Sequence, residues 1–195
     1  TGPYTTHSIK KIQTPEDYIL FTNTLNSDTE YGVTRDIIIS ENFTYYTDAN
    51  SSSTAWVWAS SPTVYSVSDM RADMASGIAL IGLQNGSLNR LGTKETPITI
   101  TFKTGQKFFF NELYDSRIED ICFDYNNAVL DMDNYGTVNG VIANEFSASY
   151  LIGVTVQNLT INTDDLDTGV LVGSAWTGEI SYCTISNVKL LSSSV

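Results

Sequence analysis

The chain has 195 residues, and 22 acidic against 10 basic side chains give it a formal net charge of −12. This length fits one domain with a sizeable core, and a hydrophobic share of 42% excludes a disordered acidic tail. The acidity argues against nucleic acids and anionic membrane surfaces as partners, because both attract Lys and Arg. With 24 Thr, 21 Ser and 15 Asn but only 16% charged residues, the composition favours strands and turns over helices.

The N-terminal segment has no targeting or membrane signal. Residues 1–20 lack the apolar centre of a signal peptide, and no apolar run in the chain is long enough to cross a membrane. We therefore predict no membrane insertion. Because the chain starts at Thr1 without a Met, we interpret residues 1–195 as a single domain excised from a larger protein.

A helix followed by a strand is predicted near the N-terminus. Thr14 supplies a capping hydroxyl, and Tyr18 and Phe21 begin an apolar stripe at helical spacing. We expect this helix, over residues 15–26, to cover the N-terminal end of the fold and protect its strand edges. The β-branched run at 33–40 predicts the first strand.

Residues 41–97 follow no clear period and are predicted to form an irregular insertion, with a second helix over 67–74. Large aromatic side chains in this region could form a platform on which a sugar ring stacks. The alternative is that they cover an edge of the core, because large aromatic side chains are usually buried. The candidate ligand-binding residues are Tyr45, Tyr46, Trp56 and Trp58.

An internal repeat follows in the C-terminal half. Residues 140–144 resemble 169–173, and the same shift of 29 positions superposes 151–161 on 180–190. A segment at 117–123 is interpreted as an earlier copy, in which Asp120 takes the place of a repeated Asn. The matching pairs are Leu151/Ile180, Thr155/Thr184, Val156/Ile185, Asn158/Asn187, Leu159/Val188 and Ile161/Leu190.

A repeat of this length, built from short strands, predicts a mainly β solenoid in which each coil buries apolar side chains against the next. The repeated Asn fits a left-handed bend, and stacked amides can pair between coils. The alternative is a β-sandwich with two similar hairpins. In the solenoid the chain divides into a capping helix and first strand at 12–40, the insertion at 41–97 and β-helix coils at 98–195.

These residues resemble a known family. Residues 169–188 resemble the GLUG-type repeat of large secreted and surface proteins of bacteria, and 156–161 resembles the coil that precedes that repeat. Residues 12–40 resemble the family's entry helix and strand, so the similar segments cover about half of the chain, its two ends. The middle lacks the family's F-x-G-x-x-D-G-x-G-H-x-I segment.

The resemblance implies a right-handed parallel β-helix similar to pectate-lyase-like folds. It also implies a secreted or cell-surface location and a non-catalytic role in adhesion, with a glycan or an extracellular protein as partner. Because such regions also occur beside immunoglobulin A1 protease-type metallopeptidases, a structural accessory domain of a larger peptidase is an alternative.

Catalytic motifs are scarce in this chain. His7 is the only histidine, so a nucleophile–histidine pair would need a residue of the N-terminal lead-in. There is no zinc-binding His-Glu-x-x-His helix and no phosphate-binding loop, and we predict no metal site and no cofactor.

The remaining enzyme hypothesis is a polysaccharide hydrolase or lyase. Residues 162–167 resemble the Asn-Thr-Asp signature of polygalacturonase-type hydrolases, and two carboxylates can supply the acid and base of inverting hydrolysis. The candidates are Asp164, Asp165 and Asp167; the alternative is an acidic turn between coils.

Alternating acidic residues are candidate calcium ligands at two places, Asp165 with Asp167 and Asp131 with Asp133. Neither completes a calcium-binding loop, which favours solvated turns.

The cysteines, Cys122 and Cys183, are predicted to be free thiols. Side-chain alternation directs Cys183 inward and Cys122 to the other side, so a bridge between them is not expected.

Overall fold

The computed structural model describes residues 9–23, 28–39, 44–47, 63–66, 71–84, 87–88, 97–103, 109–132, 138–164 and 167–192. Over these residues the fold is mainly β, with parallel sheets and almost no helix, as the composition predicts. This arrangement is consistent with a parallel β-helix. The elements before residue 98 are β1 (Lys10–Ile12), α1 (Pro15–Asn23), β2 (Glu30–Val33), β3 (Ile37–Ile39), β4 (Thr44–Thr47), β5 (Thr63–Ser66), β6 (Arg71–Ser76), β7 (Ala79–Gln84) and β8 (Ser87–Leu88).

The remaining strands are short and follow one another closely along the chain. They are β9 (Ile98–Phe102), β10 (Phe109–Tyr114), β11 (Arg117–Glu119), β12 (Ile121–Asp131), β13 (Asn139–Gly140), β14 (Ala143–Ser147), β15 (Ser149–Ile152), β16 (Thr155–Asn162), β17 (Thr168–Gly169), β18 (Val172–Ala175), β19 (Gly178–Ser181) and β20 (Thr184–Leu191).

Three parallel sheets dominate the fold, and the chain visits them in a fixed cyclic order. The first sheet has the order β1-β2-β7-β11-β15-β19, the second β18-β14-β10-β6, and the third β20-β16-β12-β9-β3. Four successive units therefore each contribute one strand to every sheet. The first unit is β6, β7 and β9; the second is β10, β11 and β12; the third is β14, β15 and β16; the fourth is β18, β19 and β20.

The predicted repeat is confirmed by the strand register. The third and fourth units pair in parallel with a shift of 29 residues in all three sheets. Two similar hairpins of a sandwich would instead pair neighbouring strands antiparallel. Examples of the paired residues are Ala143 with Val172, Leu151 with Ile180, and Val156 with Ile185.

The earlier copy is also present, but the place assigned to Asp120 was wrong. The register of the second unit on the third puts Asp120 opposite Gly153, and the bulge opposite Asn158 contains Asn126 and Asn127. All five residues have a positive φ. Because Asp, Asn and Gly all tolerate this left-handed conformation, a short polar residue marks a bend without showing which bend it is.

The predicted N-terminal helix is confirmed as α1, which ends at Asn23; residues 24–26 lie outside the described part of the chain. The Thr14 hydroxyl accepts a hydrogen bond from the Asp17 amide at 3.1 Å, and the Asp17 carboxylate accepts one from the Gln13 amide at 2.9 Å. This reciprocal cap stabilises the helix start by about 1 kcal/mol. No helix in the described residues is long and apolar enough to span a membrane.

Helix α1 packs its apolar side chains on the N-terminal end of the sheets. The Phe21 ring centroid lies 4.7 Å from that of Tyr31 on β2, and Tyr18 lies 6.0 Å from Phe102 on β9. All four side chains are buried. The helix therefore covers apolar residues that line two of the three sheets.

The region predicted as an irregular insertion contributes strands to the sheets. Within 41–97, β6 pairs with β10, and β7 pairs with β2 and β11. The helix predicted over 67–74 is wrong in its described part, because Arg71–Ser76 is strand β6, whose pairing with β10 overrides local helix propensity. The single strand predicted at 33–40 is likewise two strands, β2 and β3, that belong to different sheets.

One hydrophobic core takes side chains from all three sheets. Leu113 comes from the second sheet, Ile118 from the first and Phe123 from the third, and each is at most 1% exposed. Glycine is required where bends of neighbouring units meet. A Cβ on Gly140 would collide with the carbonyl oxygen of Ala143, and one on Gly169 with that of Val172, which explains a Gly at this point of successive units.

Candidate functional site

The predicted aromatic platform lies largely outside the described residues. Trp56 and Trp58 are not among the residues that the structure describes. Tyr45 and Tyr46 lie on β4, which pairs antiparallel with β5, and their side chains also lie outside the description. The structure thus places two of the four candidates on one short strand, and their proposed role stays a prediction.

The acidic candidates lie at a turn between the third and fourth units. Asp164 and Asp167 are exposed, and Asp165 lies outside the described residues. The hydroxyls of Thr163 and Thr168 approach to 2.9 Å and join the two sides of this turn. The geometry gives a short, solvent-facing acidic turn.

The other acidic pair, Asp131 with Asp133, is described only in part. Asp131 is exposed at the end of β12, and Asp133 lies outside the description. Among the residues described, no group of three or more His, Cys, Asp or Glu side chains could hold a metal ion.

Both cysteines are free thiols, as predicted. Cys183 packs partly buried against the core, and its sulfur lies 3.5 Å from the carbonyl oxygens of Leu151 and Ser181. Cys122 is buried on β12, and burial raises the pKa of its thiol to about 11, against the lowering effect of a hydrogen bond with Thr99. A thiol with this pKa is protonated at neutral pH and is a poor nucleophile.

A ladder of amide side chains runs across the third sheet. Asn187 Nδ2 donates to Asn158 Oδ1 at 2.9 Å, and Asn158 Nδ2 donates to Asp124 Oδ1 at 3.1 Å. Gln157 Nε2 donates to the other Asp124 oxygen at 3.0 Å. The predicted pairing of stacked amides between repeats is therefore confirmed, and the ladder is anchored on a carboxylate that the sequence did not single out.

The charge of Asp124 is held by these donors. Burial disfavours the ionised form and raises the pKa, but hydrogen bonds from the Asn126 amide, Gln157 and Asn158 outweigh it, so the pKa of Asp124 lies below its ordinary value. The donors to the Asp124 carboxylate are an amide of its own bulge and two side chains of the neighbouring strand β16. We therefore interpret Asp124 as an anchor of the fold and not as a catalytic acid.

Large aromatic side chains are exposed on the second and fourth units. Trp176 is 79% exposed, Tyr182 is 75% exposed and Tyr114 is 46% exposed. Tyr114 pairs with Ser147, and the Trp176 amide donates to the Phe146 carbonyl at 2.9 Å, which carries the same register to the fourth unit. Tyr114 and Trp176 therefore lie in one column, two strand spacings or about 10 Å apart, with the small Ser147 between them.

Tyr182 lies at the other end of β19 in an unusual backbone conformation. Its φ is 55°, whereas the residues in the same column of the preceding units are Gly153 and Asp120. A bulky residue at positive φ costs on the order of 1 kcal/mol relative to Gly.

In the first sheet an arginine packs on the ring of a further tyrosine. Arg117 lies 4.5 Å from the ring centroid of Tyr150, and its Nε donates to Glu119 Oε1 at 2.8 Å. Tyr150 pairs with Glu179 on β19, the strand whose ends carry Trp176 and Tyr182. We refer to the exposed Tyr114, Trp176 and Tyr182, together with the half-buried Tyr150, as the exposed aromatic surface.

Sequence reasoning missed this surface, although a signal for it was available. The 29-residue shift places Trp176 opposite Ser147, a position that alternates with the buried Phe146. A Trp at an outward-facing polar position of a repeat is unusual, and the repeat register alone could have singled it out.

Comparisons of the chain with protein-family models, curated proteins and solved structures gave no significant match.

Proposed function

We propose that this chain is a non-catalytic right-handed parallel β-helix domain of a secreted or cell-surface protein. In this proposal it binds a glycan or an extracellular protein through the exposed aromatic surface. The strand order supports the β-helix, because four units visit three parallel sheets in the same sequence. Right-handedness follows the general preference of connections between parallel strands, and the GLUG-type resemblance supports the secreted or surface context.

The observation that carries the binding role is the 79% exposure of Trp176. A Trp side chain offers a large rigid ring face, and leaving that face in water is unfavourable unless a ligand covers it. Flat aromatic faces suit the apolar face of a sugar ring, and the partly exposed Arg117 guanidinium, held by the buried Glu119, can donate to a hydroxyl group.

Tyr182 supports the same role from its backbone. Gly153 and Asp120 occupy the equivalent bend in the preceding units, whereas Tyr182 places an aromatic side chain there at a φ of 55°. Residues held at a strained φ are concentrated at functional sites.

The test is binding of the chain to an array of glycans and extracellular glycoproteins, followed by titration of any hit. We expect Trp176→Ala to weaken binding by roughly 10-fold or more, since a central aromatic anchor contributes about 2 kcal/mol. Tyr182→Gly is expected to weaken binding while leaving the melting temperature unchanged or higher, because it removes the strain at positive φ.

Leu191→Ala serves as the control, because Leu191 is half-exposed on β20 and lies outside the aromatic surface. It should leave the affinity unchanged. Absence of binding across the array, or hits that Trp176→Ala and Tyr182→Gly both leave unaffected, would contradict the proposed site.

Variants of the same chain also distinguish the proposed binding role from two alternatives, a catalytic role and a purely structural role. If the acidic turn were the catalytic site of a polysaccharide hydrolase or lyase, product release from pectic substrates would be lost in Asp164→Asn or Asp167→Asn. If the domain were only a structural accessory of a larger peptidase, no variant of the aromatic surface would alter any binding.

A further inference from the structure

The fourth unit exposes the same apolar columns that the other units bury. Ile185 is 50% exposed, whereas its partner Val156 in the third unit is fully buried. Ile180 and Leu190 are likewise exposed, and their partners Leu151 and Ile161 are buried. Because these side chains belong to the inward-facing positions of the repeat, their exposure marks one face of the unit that no other unit of the described residues covers.

The backbone of the fourth unit is open in the same direction. Strands β18, β19 and β20 are the terminal strands of the second, first and third sheets. A terminal strand presents unpaired N–H and C=O groups to a further strand. Asn187 is also the last residue of the amide ladder, which leads from Asp124 through Asn158.

The register of the existing interface specifies what fits this surface. Every described pairing between successive units in the three sheets is parallel, and the third and fourth units match at a uniform shift of 29 residues. A strand–bend–strand segment with the same spacing would place an apolar residue on each of Ile180, Ile185 and Leu190. Its Asn would extend the ladder beyond Asn187.

A second copy of this chain fits the surface less well. Head-to-tail stacking needs an open N-terminal end, but Tyr18 and Phe21 of α1 cover the apolar residues there. Tail-to-tail stacking would oppose identical strands in antiparallel orientation and would break the parallel register of all three sheets.

We propose that the open face of the fourth unit is an interface for a further β unit of the same repeat, stacked in parallel register. This unit carries apolar residues at the positions matching Ile180, Ile185, Val188 and Leu190, and an Asn matching Asn187. The proposal is independent of the aromatic surface, because it concerns the inward-facing columns and not the exterior.

The test is a tandem chain in which a copy of residues 164–192 replaces residues 193–195. In the parent chain, Ile185→Ser should change the melting temperature little, because the side chain is already half in water. In the tandem chain, the same substitution should lower it by on the order of 5–10 °C, because Ile185 is then buried between two units. Backbone amides of β20 should also gain protection from hydrogen exchange.

The matched control is Leu191→Ser. Leu191 pairs with the exposed Asn162 on the outward side of β20, so it should behave identically in the parent and tandem chains. A tandem chain with the appended copy shifted by one residue should give no gain in protection, since every side chain then faces the wrong side.

Three results would overturn the proposal. The first is an equal effect of Ile185→Ser in parent and tandem chains. The second is a tandem chain that fails to fold. The appended residues form such a unit in the parent, so this failure would mean that the open face does not accept them. The third is a stable dimer of the parent chain that Ile185→Lys dissociates, since a second copy would then be the natural cover of this face.

Discussion

The inward-facing apolar side chains are buried at one end of the described fold and exposed at the other. At the N-terminal end, helix α1 buries Tyr18 and Phe21 against Tyr31 and Phe102. At the other end, the fourth unit leaves Ile185 half-exposed. The apolar pattern of a repeat therefore predicts which side chains face inward. Whether those side chains are buried depends on whether another element packs on them.

The largest expected effect is at the covered end. Phe21→Ala removes a fully buried ring and should lower the free energy of unfolding by about 3–5 kcal/mol. Leu190→Ala at the open end should cost about 1 kcal/mol or less, since the side chain is already half-exposed. Urea denaturation of both variants measures the contrast, and equal losses would show that the two ends are equally covered.

The amide ladder gives a second contrast, between an interior position and the open end. Asn158→Ala loses hydrogen bonds on both sides and puts Ala, which tolerates the left-handed conformation less well than Asn, at a φ of 59°, so it should cost about 2–3 kcal/mol. Asn187→Ala should cost less, because Asn187 is the last residue of the ladder. Asn158→Gly separates the terms, since it keeps the bend and removes only the hydrogen bonds.

The helix cap is expected to contribute a smaller amount. Thr14→Ala removes the acceptor of the Asp17 amide and should lower the free energy of unfolding by about 1 kcal/mol. Thr14→Ser keeps the hydroxyl and should restore most of the loss. If the cap holds the covered end together, hydrogen exchange of the β1 and β2 amides should rise in Thr14→Ala while that of β20 stays unchanged.

The smallest effect concerns pH and the carboxylate that anchors the ladder. Because the pKa of Asp124 is lower in the folded than in the unfolded protein, its ionised form stabilises the fold above the ordinary Asp pKa of about 4. That contribution is lost as the pH falls through the lower, folded value. The difference in urea midpoint between the parent chain and Asp124→Asn should therefore shrink from pH 6 to pH 3; a constant difference would contradict this account.

The sequence alone predicted the features that depend on local chemistry or on an undisturbed period. Thr14 predicted the cap of α1, and the 29-residue shift predicted the pairing of Val156 with Ile185. The β strand at Arg71–Ser76 was missed because its pairing partner, β10, lies about 38 residues further along the chain, outside any local window. The bend of Asp120 was misplaced because several short polar residues tolerate the same backbone conformation.

The candidate site was less predictable than the fold. Trp176 belongs to the repeat, and its outward direction could have been read from the buried Phe146 in the neighbouring unit. The positive φ of Tyr182 could not be predicted from the sequence, because it follows from how the bends stack and not from the residue type.

The register slip within β12 has a practical consequence for the bends. β12 pairs with β16 at a shift of 33 residues up to Asp124 and of 31 residues from Ala128 onward, yet the inward columns stay aligned on both sides. The two additional residues, Asn126 and Asn127, are exposed and displace no core side chain. A bend of this fold can therefore take up additional residues on the outside while the side chains that pack the interior keep their partners.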